Sequence, residues 1–245
     1  MLPAARSPLA PRAGVAESGA IERWTVLGAF PTAVYLHRHG SGVLAVVTSD
    51  GLALPTAWRL AVRSRDVEWG ASPGDQVGVS TDRITLPLND IHAVRAWRPA
   101  RVRRRSSSRV WLRASWFAER IGRGEGLTPE GDDEICGALL VAYAVGDPAL
   151  AAAVLPLLPR TTALSASLIE AAAQGYAVPP LVAYVDAVTT GDPMAAARRP
   201  AVAAIGHTSG AALLRGVDLA LTAVGDHPAY DLNPKRNAIK ESLSA

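Results

Sequence analysis

The chain has 245 residues, 49% hydrophobic and only 5% aromatic, so its core must rest on Ala, Val and Leu, with six Trp supplying most of the aromatic bulk. Twenty-five basic against 22 acidic residues give a formal charge of +3, and the excess is local: Arg98, Arg101, Arg103, Arg104, Arg105, Arg109 and Arg113 fall in one short stretch. A single cysteine, Cys136, excludes an intrachain disulfide framework; no apolar run approaches the ~20 residues that span a membrane, and the first residues lack the continuous apolar segment of a secretory signal, so a soluble, cytoplasmic protein is expected.

Residues 1–20, with three Pro and few large apolar side chains, read as a flexible arm. From Trp24 to about Val102 short β-favouring runs alternate with turn residues: Trp24–Leu27, Ala33–Leu36, Val43–Thr48, Trp58–Val62, Gln76–Val79 and Arg83–Leu86. Strands so short and so closely spaced, with Asp50-Gly51 and Pro73-Gly74 between them, predict an antiparallel sheet or small barrel over 21–106. Near Ser106 the period becomes helical. Val110, Ala114, Phe117 and Ile121 share one face behind Ser106-Ser107-Ser108, with Gly122 as the stop. Asp132 or Asp133 opens a second helix that ends at Gly146-Asp147-Pro148. Thr162 caps a third, Pro179-Pro180 starts a fourth, Pro200 breaks the stretch that follows, and Ser209 caps the last. The expectation is an α+β fold: an N-terminal antiparallel β domain (small barrel or sandwich), an Ala-rich α-helical domain over 107–226, and a polar tail over 227–245.

Two segments of the helical part carry chemistry-bearing residues, and each stands just ahead of a helix. In Gly124-Glu125-Gly126-Leu127-Thr128-Pro129-Glu130-Gly131-Asp132-Asp133 the glycines permit close backbone approach, Thr128 offers a hydroxyl, and the helix start offers unsatisfied N–H groups to an anion. The two aspartates repel an anion unless a metal or a base intervenes. Adjacent helical residues stand ~100° apart, so one Asp can cap the helix while the other points to a site or to Arg123. The same spelling also fits a turn and N-cap with no ligand. The loop is neither a Walker A sequence nor a dinucleotide fingerprint, because no Gly-Lys-Ser/Thr follows and no strand leads in. Gly206-His207-Thr208-Ser209-Gly210, about 75 residues on, repeats the logic with an imidazole suited to proton transfer near neutral pH. The candidates are therefore Asp132, Asp133 and His207 for catalysis, and Gly126, Thr128, Gly131, Thr208, Ser209 and Gly210 for substrate binding, the two loops sharing one cleft. A divalent metal between the aspartates is compatible with the pattern and required by nothing in it, and no cofactor is specified. Cys136 reads as a small packing residue. His37, His39 and the acids of the β domain sit beside turn residues and predict no chemistry there.

Gly126 to Asp133, ending in Gly137, resembles the Gly-Leu-Thr-Pro-Ser-Gly-Asp-Asp signature of the bacterial AllH-like family, long catalogued as a domain of unknown function. Ile205 to Gly210, continuing to Leu213-Leu214 and Gly216, is similar to its second signature, and weaker similarity at Ala33-Val34-Tyr35, Leu52–Pro55 and Ala96-Trp97 extends the resemblance over roughly 24–225. The best-described member is a subunit of oxamate carbamoyltransferase in allantoin breakdown. The resemblance implies a carbamoyltransferase-type enzyme or enzyme subunit acting on a small carboxylate or amide with a phosphate-bearing donor such as carbamoyl phosphate, working with partner subunits or as a homo-oligomer. Glu130, Glu134 and Ala212 depart from the signatures, which favour Ser, a large apolar residue and Asp there.

Two other readings compete with a transferase. One is a non-catalytic subunit that binds or senses a small anion. The other is nucleic-acid binding through Arg98–Arg113, weak because no interleaved aromatic platform accompanies the run and because such runs are more often solvated faces. An arginine of the 98–105 junction is expected to reach an anionic ligand, with the β domain walling one side of the cleft.

Overall fold

The structure, a computed structural model, describes residues 1–12, 21–105 and 108–225. Eight strands, β1 (Leu2–Arg6), β2 (Glu22–Phe30), β3 (Ala33–Arg38), β4 (Gly42–Val47), β5 (Ala57–Leu60), β6 (Gln76–Val79), β7 (Arg83–Thr85) and β8 (Asp90–Ala96), close into a barrel in the order β1-β5-β4-β3-β2-β6-β7-β8. Period-two alternation fills it. Trp24 and Val26 of β2, Val34 and Leu36 of β3, Leu44 and Val46 of β4 and Trp58 of β5 all point inward and are fully buried. The pairings are antiparallel except β4–β5 and β1–β8, which are parallel.

Leu2–Arg6, expected within a flexible arm, is the strand that closes the barrel, paired with β5 on one side and β8 on the other. Leu-Pro-Ala-Ala-Arg has no β-branched or aromatic residue to announce a strand; pairing on both sides imposes the extended conformation. Residues 13–20 and the expected tail 227–245 lie outside the described residues.

The outer face of β3, β4 and β5 belongs to the other half of the molecule. Ala33, Ala45, Val47 and Ala57 are buried with the helices rather than inside the barrel. Ala45 stands in register between Tyr35 and Ala57, and these small side chains leave room for a helix to lie on the sheet. The helices are α1 (Ala114–Arg120), α2 (Glu130–Val145), α3 (Ala149–Val154), α4 (Ala163–Ala173), α5 (Pro179–Val188), α6 (Ala195–Ala203) and α7 (Ser209–Thr222). Val110, expected on the first helical face, instead lies in β9 (Arg109–Val110), which pairs with β10 (Val224–Gly225). Of the expected Ser106-Ser107-Ser108 cap, Ser106 and Ser107 fall outside the described residues, and α1 starts behind Arg113.

α2 is the axis of the helical part: every residue from Ile135 to Ala142 is buried, so it is apolar all round. α7 packs directly on it through two glycines. A Cβ at Gly216 would stand 1.9 Å from the Glu134 carbonyl oxygen, and one at Gly137 would stand 2.2 Å from that of Leu213. The junction with the barrel runs over the surface. Trp97 Nε1 donates to the Ala57 carbonyl at 3.0 Å, and Arg101 Nε to that of Gln174 at 3.0 Å. The Arg101 guanidinium faces the rings of Tyr143 and Tyr176 at 5.1 and 4.8 Å, and Arg109 lies over Trp111. The aromatic rings beside the arginine run are thus covered by arginines, not presented as open stacking platforms.

Candidate functional site

After α1 the chain turns at Gly122 and reaches α2 through the glycine-rich loop. Thr162 pins that loop to the start of α4: its hydroxyl donates to the Leu127 carbonyl at 2.6 Å and accepts from the Ser165 N–H at 3.1 Å, so the cap expected from sequence is present. The second motif joins α6 to α7. Both motifs open onto one cavity of about 220 Å³ between barrel and helices, which Thr128, Asp133, Cys136, Gly206 and Ser209 line. Its walls are apolar: Leu54 and Pro55 from the β4–β5 loop, Leu164 and Leu168 from α4, Leu213 from α7. At below the ~300–1,000 Å³ of drug-sized pockets, it suits a small metabolite.

The two aspartates divide. Asp132, 1% exposed, is fully engaged: Oδ1 accepts from the Gly122 N–H at 2.8 Å and Oδ2 from the Thr161 hydroxyl. It ties the end of α1 and the approach to α4 to the first turn of α2. Asp133 is 7% exposed, lines the cavity, and its Oδ2 has no hydrogen-bond partner. Burial pushes its carboxyl up to about 7; the neighbouring Ser209 hydroxyl partly offsets this, and the charges of Asp132 and Glu130 add to it. Neither aspartate caps α2 as expected. The helix starts at Glu130 behind Pro129, whose carbonyl receives the N–H groups of both, and the acids occupy the first turn, where the helix dipole favours them.

The motif glycines divide as well. A Cβ at Gly131 would stand 2.1 Å from the Arg120 carbonyl oxygen, and one at Gly210 2.2 Å from that of Val202. Close helix packing accounts for both. Gly126 is different: exposed, with φ of 83° and open space where a side chain would go. His207 and Thr208 are exposed beside Gly206 and do not line the cavity. Cys136 faces the cavity as a thiol, its pKa pushed far up by burial and by Asp133 and Asp132.

The departures from the signature have a structural account. Glu134 accepts from Arg120 at 2.7 Å and from Arg215 at 2.9 Å, and Glu130 pairs with Arg215, so both acids tie α2 to its neighbours instead of entering the cavity. Ala212 is buried in α7. None of the arginines expected from the 98–105 junction lines the cavity, and among the described residues neither does any other Arg, Lys or His. The barrel walls one side of the cavity, as expected, but through residues that were not singled out as lining it: Tyr35 of β3, and Leu52, Leu54 and Pro55, which lie in the loop of the parallel β4–β5 crossover. Burial pushes the Tyr35 phenol up. Among the described residues no group of three or more His, Cys, Asp or Glu side chains is placed to hold a metal ion.

A second, larger cleft of about 710 Å³ opens on the other side of α4, with His37 and His39 from the barrel and Glu170 from α4 among its lining. It contains no residue of either motif. No helix among the described residues is long and apolar enough to cross a membrane.

No solved structure matches the chain. Residues 120–221, the stretch that holds both motif loops and the helices they open, match the family model described as oxamate carbamoyltransferase subunit AllH, the family whose two signatures these loops resemble.

Proposed function

We propose that the chain is the acceptor-binding subunit of a carbamoyl-transfer enzyme, with the cavity beside Asp133 holding a small molecule that carries a carboxylate and an amide, as oxamate does. The observation that carries this reading is the unpartnered, buried Asp133 Oδ2 at the meeting point of both motifs. A carboxyl held there costs the fold stability, and beyond the neighbouring Ser209 hydroxyl its Oδ2 is left without a partner in the protein, as expected of a group kept for a ligand. The family match supplies the reaction class.

In this reading the acceptor's carboxylate lies inward and its amide nitrogen faces the exposed His207 and Thr208, which stand in the chain between the cavity-lining Gly206 and Ser209. The nitrogen attacks the carbamoyl carbon of carbamoyl phosphate. A C–N bond forms, the C–O bond to phosphate breaks, and inorganic phosphate leaves. The proton lost by the nitrogen passes to the His207 imidazole. Among the described residues no basic side chain lines the cavity, and in this reading the donor's phosphate is held outside it, by groups that a partner subunit brings.

That absence also favours the second reading, a non-catalytic subunit that binds the acceptor and presents it. One experiment separates the two. The chain is tagged, recovered from its source with whatever assembles on it, and assayed for oxamate-dependent phosphate release from carbamoyl phosphate. Asp133→Ala should raise KM for oxamate at least about tenfold, and His207→Ala should lower kcat by ~10²-fold or more. Unchanged kcat in the His207 variant selects the presenting subunit. Unchanged kinetics in both remove the cavity from the reaction.

A further inference from the structure

Resting on that reading, we propose that Asp133 meets the ligand's carboxylate as a protonated acid, so that ligand and protein form a hydrogen-bonded acid–carboxylate pair and each binding event at alkaline pH takes up one proton. The alternatives are few in this cavity. A carboxylate entering an apolar site needs compensation for its lost hydration, and among the described residues no arginine, lysine or histidine lines the walls to provide it. Two sources of partial positive charge are available. α7, 14 residues long, starts at Ser209 on the cavity wall, and Thr208 gives its first turn no side-chain cap; the Gly210 N–H is taken by the Ile205 carbonyl at 2.8 Å and that of Ala212 by Thr208 at 3.1 Å, so the helix start offers an anion its dipole and only part of its first-turn N–H groups. The second source is the proton of Asp133, on the oxygen that has no partner in the protein. An O–H donated to a carboxylate is a short, strong hydrogen bond, whereas two bare carboxylates at that distance repel.

The groups that face Asp133 agree. On α2 the nearest charges are Asp132 and Glu130, both of which raise its pKa, and Cys136 stays a thiol. Arg120 from α1 and Arg215 from α7 are engaged by Glu134 and Glu130. The barrel contributes the Tyr35 phenol and the α4–α5 turn that of Tyr176, while α4 and α5 offer only Leu164, Leu168, Ala172 and Leu181. With the free carboxyl near 7, the proton is already in place below that pH and must be drawn from solvent above it.

Calorimetric titration of the full chain in buffers of differing ionisation enthalpy tests this, with oxamate and its uncharged isostere oxamide as probes. At pH 8 oxamate should bind with uptake of close to one proton, and its affinity should fall about tenfold per pH unit above 7. Oxamide should bind with no such dependence. Asp133→Asn, whose amide N–H imitates the protonated acid, should bind oxamate with pH-independent affinity and no uptake. Oxamate binding without proton uptake at pH 8, or its loss in Asp133→Asn, overturns the acid pair and leaves the acceptor site standing. Binding of oxamide alone does the same. Failure of both probes to bind overturns the acceptor-site reading together with the inference.

Discussion

Two openings flank α4, and size ranks them the wrong way round. The larger, about 710 Å³, is lined by His37, His39 and Glu170 at its surface, beside exposed turns. The smaller, about 220 Å³, buries a carboxyl with a raised pKa and an unsatisfied oxygen. A cleft between two packed bodies arises wherever their surfaces fail to match; the larger one leaves the buried Thr56 hydroxyl without a partner, but a neutral hydroxyl costs far less than a carboxyl, and the ionisable side chains that line it are at least partly solvated. An unpaired buried carboxyl opposes folding and persists only where something other than folding keeps it. What separates the two openings is therefore the energy stored in their walls rather than the volume they enclose.

The contrast depends on α7 holding Ser209 against Asp133, so the most disruptive test attacks the α2–α7 contact. Gly216→Val places a side chain where even a Cβ would be 1.9 Å from the Glu134 carbonyl oxygen. Backbone cannot yield as a flexible side chain does, and we expect destabilisation of ~3 kcal/mol or more, read as loss of a cooperative melt or of soluble protein. A stable, ligand-binding Gly216→Val protein would mean that α7 does not form this wall.

The paired aspartates sharpen the comparison next. Asp132→Ala strands the Gly122 N–H and the Thr161 hydroxyl and should cost about 2–3 kcal/mol. Asp133 should behave in the opposite sense. Its folded-state pKa, about 7, lies above the ordinary 3.8, so the native state binds more protons between those values. Stability contributed by this group then falls as pH rises from about 4 to 7, and the full penalty remains above 7. Asp133→Asn removes the titration. It should melt like the wild type near pH 4 and be more stable at pH 8 by about 2 kcal/mol, below the ceiling of about 4 kcal/mol that the displacement sets. Equal melting curves at both pH values would show an Asp133 that is solvated or paired.

Much of this was legible in the sequence, and what was not has identifiable causes. Short β-favouring runs such as Trp24–Leu27 and Val43–Thr48, closely spaced between turn residues, identified a small β domain ahead of helices, and Val43–Thr48 is apolar almost throughout because it is buried on both faces. The motif loops were identified by residue types whose backbone and proton chemistry are local. β1 was hidden because Leu-Pro-Ala-Ala-Arg is extended only through its neighbours. The division of labour between Asp132 and Asp133 was hidden because it rests on Thr161, Gly122 and Ser209, distant or turned by helix packing that no spacing encodes. Glu130 and Glu134 looked like a changed site until Arg120 and Arg215 were placed beside them. The arginine expected at the ligand belongs to a surface run whose aromatic neighbours hold it elsewhere, Arg101 against Tyr143 and Tyr176.

The smallest expected effect falls on the other side of α4. His37 is half-buried at the end of β3 and His39 is exposed in the turn beyond it. Tyr35 precedes them on the outward face of that strand, yet it lines the small cavity while they line the large cleft. A single strand thus passes beneath both openings: alternation places Tyr35 and His37 on the helical side, and the turn beyond the strand brings His39 to the larger cleft. Neither histidine makes a hydrogen bond that the barrel needs, so His37→Ala and His39→Ala should change stability by no more than about 0.5 kcal/mol. On the proposed function, oxamate affinity and turnover with the partner subunits should match the wild type, whereas Tyr35→Ala, which opens one wall of the small cavity, should weaken oxamate. The three variants measured together test the comparison on one strand. A histidine variant that loses turnover with its fold intact would move chemistry into the larger cleft and reverse the ranking of the two openings.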